Sequence, residues 1–362
     1  MMKVVTIVGA RPQFIKAAAV SRYLRAKATE VLVHTGQHYD DKMSAVFFSE
    51  LNIPAPDYNL EVGSGGHGAQ TGAMLARIED LLVREKPDWV LVYGDTNSTL
   101  AGALAAVKMR IPVAHVEAGL RSFNRSMPEE HNRVLTDHCS DVLFCPTRTA
   151  VENLAAEGIT RGVHVVGDTM LDMVLEFSAR ARAASRILET LGLQEKRYLL
   201  ATLHRPYNVD DIGILRGILE TFLDLGEPVV FPVHPRTRKN LQEQAPDLRS
   251  RLEGSRVRLV DPVGYLDMLR LEQSARLILT DSGGVQKEAF FLGVPCITLR
   301  PETEWVETAQ AGWNWVVGSD PARIRAAVQA TDWPAGTPPP VFGNGKAGAQ
   351  IADILMEHRV TT

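Results

Sequence analysis

The stretch Trp89-Val-Leu-Val-Tyr93-Gly-Asp-Thr-Asn-Ser98 runs from an unbroken apolar, β-type segment into a series of small and polar residues. Helical periodicity then occupies Thr99–Met109, and a second apolar run follows at Val113–Val116. Buried strand, polar turn, helix and buried strand make a right-handed βαβ unit, in which a parallel sheet is covered on both faces. The same alternation extends outward in both directions. Before it lie strand candidates at Val4–Val8 and Val31–His34; after it come Val142–Cys145 and His164–Val166. A second succession follows at Tyr198–Leu203, Val229–Val233, Arg256–Val260, Leu277–Thr280, Cys296–Leu299 and Trp315–Val317. Helical patterns intervene at Thr71–Arg84, Val151–Glu157 and Asp210–Leu223.

These observations predict an α/β protein of two Rossmann-like, doubly wound parallel-sheet domains facing one another across a cleft. The expected boundaries are 1–170 for the first domain, 171–196 for a connecting helix and linker, and 197–340 for the second. The linker reads as one long Ala/Arg/Leu-rich helix that stops at Gly192. A Pro-rich connector, Pro334–Pro340, leads to a last helix over Gly348–Met356 within 341–362, expected to cross back onto the first domain. A chain of 362 residues accommodates two such domains.

Composition narrows the function classes. The 39 Lys+Arg against 43 Asp+Glu leave a formal net charge of −4, without the basic excess of a nucleic-acid binder. No run approaches the ~20 apolar residues of a membrane span. Lys3–Gly9 is too short for a signal peptide before Arg11 interrupts it. Three cysteines, Cys139, Cys145 and Cys296, cannot build a disulfide framework and fit a reducing, cytoplasmic compartment.

In open α/β sheets, ligands bind beyond the carboxyl ends of the strands, and here those ends are polar. Strand one leads into Gly9-Ala-Arg11-Pro-Gln-Phe-Ile-Lys16, strand two into Thr35-Gly-Gln-His38, and the fourth into Glu117-Ala-Gly-Leu-Arg121. In the second half the ends are His204-Arg205, His234-Pro-Arg236, Thr280-Asp-Ser-Gly-Gly284 and Arg300-Pro-Glu-Thr-Glu304. Thr280-Asp-Ser-Gly-Gly-Val-Gln-Lys-Glu288 is the sharpest signal. Ser282 can N-cap a helix, while Gly283 and Gly284 let backbone N–H groups approach a phosphate favoured by the helix dipole. Glu288, farther along that helix, has two acceptor oxygens for ribose hydroxyls. Arg11 and Lys16 are candidate phosphate contacts. Asp95, Glu117 and Glu129, read as loop carboxylates, and His204 are candidate acid–base groups. Gly63-Ser-Gly-Gly-His-Gly68 fits a dinucleotide pattern but follows no first Rossmann strand, so no nicotinamide site is expected. Histidine spacing, including His34 and His38, suggests no metal site.

These landmarks, with Tyr93–Ser98, His115–Arg121, Pro128-Glu-Glu-His-Asn-Arg133, Thr202–Arg205 and Gly343-Asn-Gly-Lys-Ala347, resemble the non-hydrolysing UDP-N-acetylglucosamine 2-epimerase family over essentially the whole chain. The resemblance implies a GT-B arrangement of the two domains, a homodimer, a UDP-sugar substrate, and neither metal nor nicotinamide. It implies Asp95, Glu117, Glu129 and His204 as the catalytic group. Arg11, Lys16, Arg133, His204, Ser282, Gly283, Gly284 and Glu288 would hold UDP or sugar. Where many members carry Thr-Glu-Arg-Pro, this chain has Thr303-Glu-Trp305-Val, similar to the branch acting on UDP-2,3-diacetamido-2,3-dideoxy-glucuronate. Trp305 and Arg300 are therefore candidate sugar contacts. Pro206-Tyr-Asn208 also departs from the usual Glu before Asn. Members with a regulatory second UDP-sugar site tend to carry Gln and Arg where Asp40 and Ala69 stand. A GT-B glycosyltransferase using a UDP-sugar donor and a silent nucleotide-sugar binding module share the same fold and nucleotide half, and stand as alternatives.

Overall fold

The computed structural model describes residues 1–37 and 55–358, Arg11 by its backbone alone. His38 and Asp40 thus lie outside the described residues. Strands β1 (Lys3–Val8), β2 (Thr29–His34), β3 (Tyr58–Asn59), β4 (Trp89–Tyr93), β5 (Val113–Val116), β6 (Val142–Cys145) and β7 (Val163–Val165) form one sheet in the order β3-β2-β1-β4-β5-β6-β7. Strands β8 (Leu199–Thr202), β9 (Val229–Pro232), β10 (Val257–Val260), β11 (Leu277–Thr280), β12 (Cys296–Thr298) and β13 (Asn314–Val316) form a second, ordered β10-β9-β8-β11-β12-β13. All pairings among the described residues are parallel. Central strands such as β4 and β11 are buried along their whole length, because helices cover both faces. Strand order reverses between β1 and β4 in the first sheet and between β8 and β11 in the second. Those are the two places where the fold opens a crevice at strand ends.

The chain divides into two units, Met1–Leu175 with Pro340–Thr362, and Glu176–Pro339. In the first, Val5, Ile7, Val33, Val90 and Val92 pack against Met74, Ile78, Ala101 and Ala105 of the covering helices. In the second, Leu199, Phe231 and Leu279 pack on one side with Ile218, Phe222 and Leu241. Leu200, Val230 and Ile278 pack on the other with Leu271 and Ala289. Helix starts follow capping chemistry. Asp211 accepts from Gly213 N (2.8 Å), Asp320 from Arg323 N (2.8 Å) and Thr147 from Ala150 N (3.3 Å).

Two local readings change. The expected single helix through the linker is Thr169–Ala184 followed by a separate turn, Ile187–Thr190. Ser185 interrupts it by donating its hydroxyl to Asp267 and accepting from Ile187 N (3.3 Å), the competition with helical pairing that short hydroxyl side chains favour. Edge strand β3 was not expected, since two residues carry no readable period.

The tail returns to the first unit. Phe342 is buried and its carbonyl accepts from Asp168 N (2.9 Å). The carboxylate of Asp172 accepts from Ala347 N (3.1 Å) and Gly348 N (2.8 Å) at the start of helix Ala347–Glu357. A Cβ on Gly348 would stand 2.0 Å from the Ala19 carbonyl oxygen of helix Arg11–Leu24, so only glycine admits this approach. Gly348→Ala is expected to cost about 1–3 kcal/mol through this overpacking. An unchanged melting temperature would show that the helices part at no cost.

Candidate active site

At the first unit's switch point, Gln13 acts as a clamp. Its Oε1 accepts from Gly9 N (2.8 Å) and Ala10 N (2.9 Å), while its Nε2 donates to the Tyr93 carbonyl (2.7 Å) and Thr99 Oγ1 (2.9 Å). The turns after β1 and β4 are thereby fixed together. Gly9 is required here: a Cβ would lie 2.0 Å from Ser98 Oγ and 2.2 Å from Thr35 Oγ1. Lys16, on the helix that follows, is buried and ion-paired to Glu117 at the end of β5. Glu117 adopts a left-handed backbone with φ +70°. For a non-glycine residue this is uncommon and costs of order 1–3 kcal/mol, which surrounding structure must impose.

Asp95, after β4, pairs with Arg133, and Arg133 Nη1 also lies 3.2 Å from Glu130 Oε2. Arg133 is buried, whereas the Asp95 side chain is 30% exposed. Asn132 Nδ2 donates to the Asp95 carbonyl (3.0 Å) and Asn97 Oδ1 (3.1 Å). Glu129 is not on a loop, as expected from sequence, but in the first turn of helix Pro128–Cys139, where the macrodipole favours a carboxylate.

That helix is unusual in what it buries: Glu130, Asn132, Arg133, Thr136 and Asp137, all polar. Asp137 was missed by the sequence reading. It faces His115 of β5, with Nδ1 to Oδ1 at 2.7 Å. Its other oxygen accepts from Gly119 N (3.1 Å) and Arg121 Nη1 (2.7 Å). Arg121 in turn forks onto Glu157 with both bonds near 2.7 and 2.6 Å. The readable signal was the helical spacing of Glu129, Asn132, Arg133 and Asp137, which puts them along one side.

In the second unit, Ser282 N-caps helix Gly283–Phe291, accepting from Val285 N at 3.4 Å. Ser282 and Gly284 are partly exposed and Gly283 is buried. A Cβ on Gly283 would lie 2.6 Å from Glu304 Oε1 and 3.2 Å from Trp305 Nε1. Glu288 lies on the same helix, 7% exposed. His204, after β8, has Nδ1 3.1 Å from Asp281 Oδ1 and a side chain 37% exposed. With its Nδ1 proton directed at Asp281, a neutral His204 presents Nε2 as a base. Asp281 is fully buried and also accepts from Arg205 N (3.0 Å) and Asn208 Nδ2 (3.1 Å).

Arg300 and Trp305, expected to face a sugar, are enclosed instead. Arg300 is wholly buried with Nη2 2.8 Å from Glu304 Oε2. Trp305 is 2% exposed, its ring 4.0 Å from the buried Lys287 Nζ, a cation–π contact. Thr303 Oγ1 donates to Gln286 Oε1 (2.6 Å), stitching this segment to the Gly283–Phe291 helix. Trp305 therefore supports that helix from within the unit, while Arg300 is paired within its own segment. Among the described residues no group of three or more His, Cys, Asp or Glu could hold a metal ion, and no helix is long and apolar enough to cross a membrane.

Burial raises the carboxyls of Asp137 and Asp281. Opposing this, the charge of His115 and a hydrogen bond from it, with Arg121, hold Asp137 below the usual carboxylate range. The positive charge that His204 bears when protonated, with hydrogen bonds from His204, Arg205 and Asn208, does the same for Asp281. A depressed folded pKa contributes stability that is complete above the unfolded value of about 3.9 and drains as pH falls through the folded one. Melting temperature is thus expected to hold level down to about pH 5 and fall below about pH 4. An Asp137→Asn melting curve should show a shallower acid loss; an identical slope would remove Asp137 from this account.

Comparison with known proteins identifies the family. The family model described as UDP-N-acetylglucosamine 2-epimerase matches residues 22–356. The chain is 53% identical to the UDP-N-acetylglucosamine 2-epimerase homolog of Methanococcus maripaludis, over 98% of this chain and 99% of that protein. It is 50% identical to the UDP-2,3-diacetamido-2,3-dideoxy-D-glucuronate 2-epimerase of Pseudomonas aeruginosa, over 98% and 100%. The crystal structure of Methanocaldococcus jannaschii UDP-GlcNAc 2-epimerase in complex with UDP-GlcNAc and UDP superposes with a TM-score of 0.91 at 46% identity, covering 98% of this chain and all of that one. The chain belongs to the UDP-N-acetylglucosamine 2-epimerase family.

Proposed function

We propose that this chain reversibly inverts C2 of a UDP-2-acetamido sugar, eliminating UDP to a glycal and adding it back. One observation carries the reading. The ends of adjacent strands β4 and β5 present two carboxylates, Asp95 and Glu117, each held by a cation, Arg133 and Lys16. A sugar C2–H is not flanked by a carbonyl, so its simple removal is strongly uphill. Breaking C2–H and C1–O together lets the bonding pair form C1=C2 while UDP departs with its own electrons. Reprotonation of C2 from the opposite face and return of UDP to C1 give the epimer.

Such a reaction asks for a carboxylate base, an acid for the other face, and positive charge about the diphosphate. Asp95, Glu117, Glu129 and His204 are suited to the proton transfers. Arg11, Lys16, Arg133, the Ser282 hydroxyl and the N–H groups at Gly283 and Gly284 are suited to the anion, the Ser282 N–H being taken by Thr280 Oγ1 (2.9 Å). Glu288 is the ribose ligand in this reading. Glu288→Ala should weaken UDP about 10–100-fold, the loss of charge-assisted hydrogen bonds. Calorimetry giving unchanged affinity would reject the ribose assignment.

The decisive experiment is incubation with a UDP-sugar in deuterated water without any acceptor. Deuterium at C2 is expected; a glycosyltransferase or silent binding module leaves C2 unlabelled. UDP-GlcNAc and its 3-acetamido uronic acid analogue both fit the proposal, and a turnover panel of the two chooses between them. Family membership supports a second copy of the chain as partner, and the three free cysteines suit a cytoplasmic setting.

A further inference from the structure

His115 sits in β5, completely buried, two residues before Glu117. Its Nε2 lies 2.7 Å from the carbonyl oxygen of Gly94, the residue before Asp95. A carbonyl can only accept, so Nε2 carries a proton. Its Nδ1 lies 2.7 Å from Asp137 Oδ1. The proton between those two atoms belongs either to the ring or to the acid. Asp137 Oδ2 already accepts from Gly119 N and from the Arg121 guanidinium at 2.7 Å. A cation at that distance favours the ionised carboxylate. The ring is then protonated at both nitrogens.

We infer that His115 is a buried imidazolium that acts as a positioning residue, pinning the Gly94 carbonyl and so setting the spacing of Asp95 and Glu117. The surrounding charges suit it. Asp137 and Glu157 balance His115 and Arg121, with His138 Nε2 3.3 Å from Glu157 at the outer end. Lys16–Glu117 and Arg133–Asp95 are each paired nearby. Gly94 itself has φ +62°, and its amide donates to the Val116 carbonyl at 2.9 Å. The turn before Asp95 is thus held from β5 by its amide and its carbonyl. His115 touches no substrate and transfers no proton in this scheme.

The inference rests on the roles proposed for Asp95 and Glu117, yet its first test is independent of them. Neutron diffraction from the deuterated wild-type protein near pD 8 should place a deuteron on each His115 nitrogen and none on Asp137. A deuteron on Asp137 Oδ1 beside a bare Nδ1 overturns the inference, whether or not any UDP-sugar exchanges at C2. The second test is kinetic. His115→Gln sets an amide oxygen against the Asp137 carboxylate or loses the Gly94 bond, and should lower kcat about 10²-fold with KM nearly unchanged, the cost of a misplaced catalytic group. Adding Asp137→Asn restores a donor–acceptor pair across the gap and should recover part of kcat. A single variant with full kcat, or a double variant no better than the single, counts against positioning. The neutron map decides the protonation even where a variant does not fold.

Discussion

Glu117→Gln is expected to reduce turnover by about 10²–10⁴-fold, the usual contribution of a positioned acid–base group, while UDP affinity stays within a few-fold. Gln has the same shape and meets the same left-handed φ of +70°, so the imposed backbone is little altered. What changes is proton chemistry and the partner of Lys16. That ammonium is buried and loses its counter-charge, which under the proposed function the anionic oxygens of a UDP-sugar replace. The variant should therefore be less stable empty than loaded. Turnover is read from deuterium entry at C2 and affinity from calorimetry with UDP. Equal losses in both would mean that Glu117 binds the nucleotide rather than moving a proton.

Asp281→Ala should produce the largest loss of stability. The fully buried carboxylate satisfies the amides of His204 and Arg205, the Asn208 side chain and the His204 ring. Removing it leaves those donors without an acceptor, a cost of about 3–5 kcal/mol by analogy with broken buried pairs. In a unit of this size that lowers Tm by about 10 °C in calorimetry. Asp281→Asn keeps one acceptor and should lose less, yet still leave the His204 ring without its negative partner. If Asp281→Ala melts with the wild type, the donors have found water, and Asp281 is not the anchor of this turn.

The ends of β4, β5, β6 and β11 coincide with those read from sequence, because continuous apolar runs bounded by Gly94, Glu117, Pro146 and Asp281 leave little latitude. The polar positions at strand ends proposed for the site were legible for the same reason. Asp137 was not, because hydropathy assigns a helix reading Pro-Glu-Glu-His-Asn-Arg to solvent, and only tertiary pairing shows its polar side turned inward. Arg300 shows the converse pattern. A charged residue after a strand reads as a ligand contact, whereas Glu304, four residues on, takes its charge within the interior. The break at Ser185 depended on Asp267, which is distant in sequence and close in space.

The first unit's last helix, Ala347–Glu357, lies beyond the whole of Glu176–Pro339 in the chain. During synthesis the later-encoded unit is therefore finished first. The amino-terminal unit, although it emerges earlier from the ribosome, waits with the seat around Ala19 unfilled until Gly348 arrives. Birth order and completion order are inverted, and a chain truncated after Pro339 would hold one complete unit and one still lacking its closing piece.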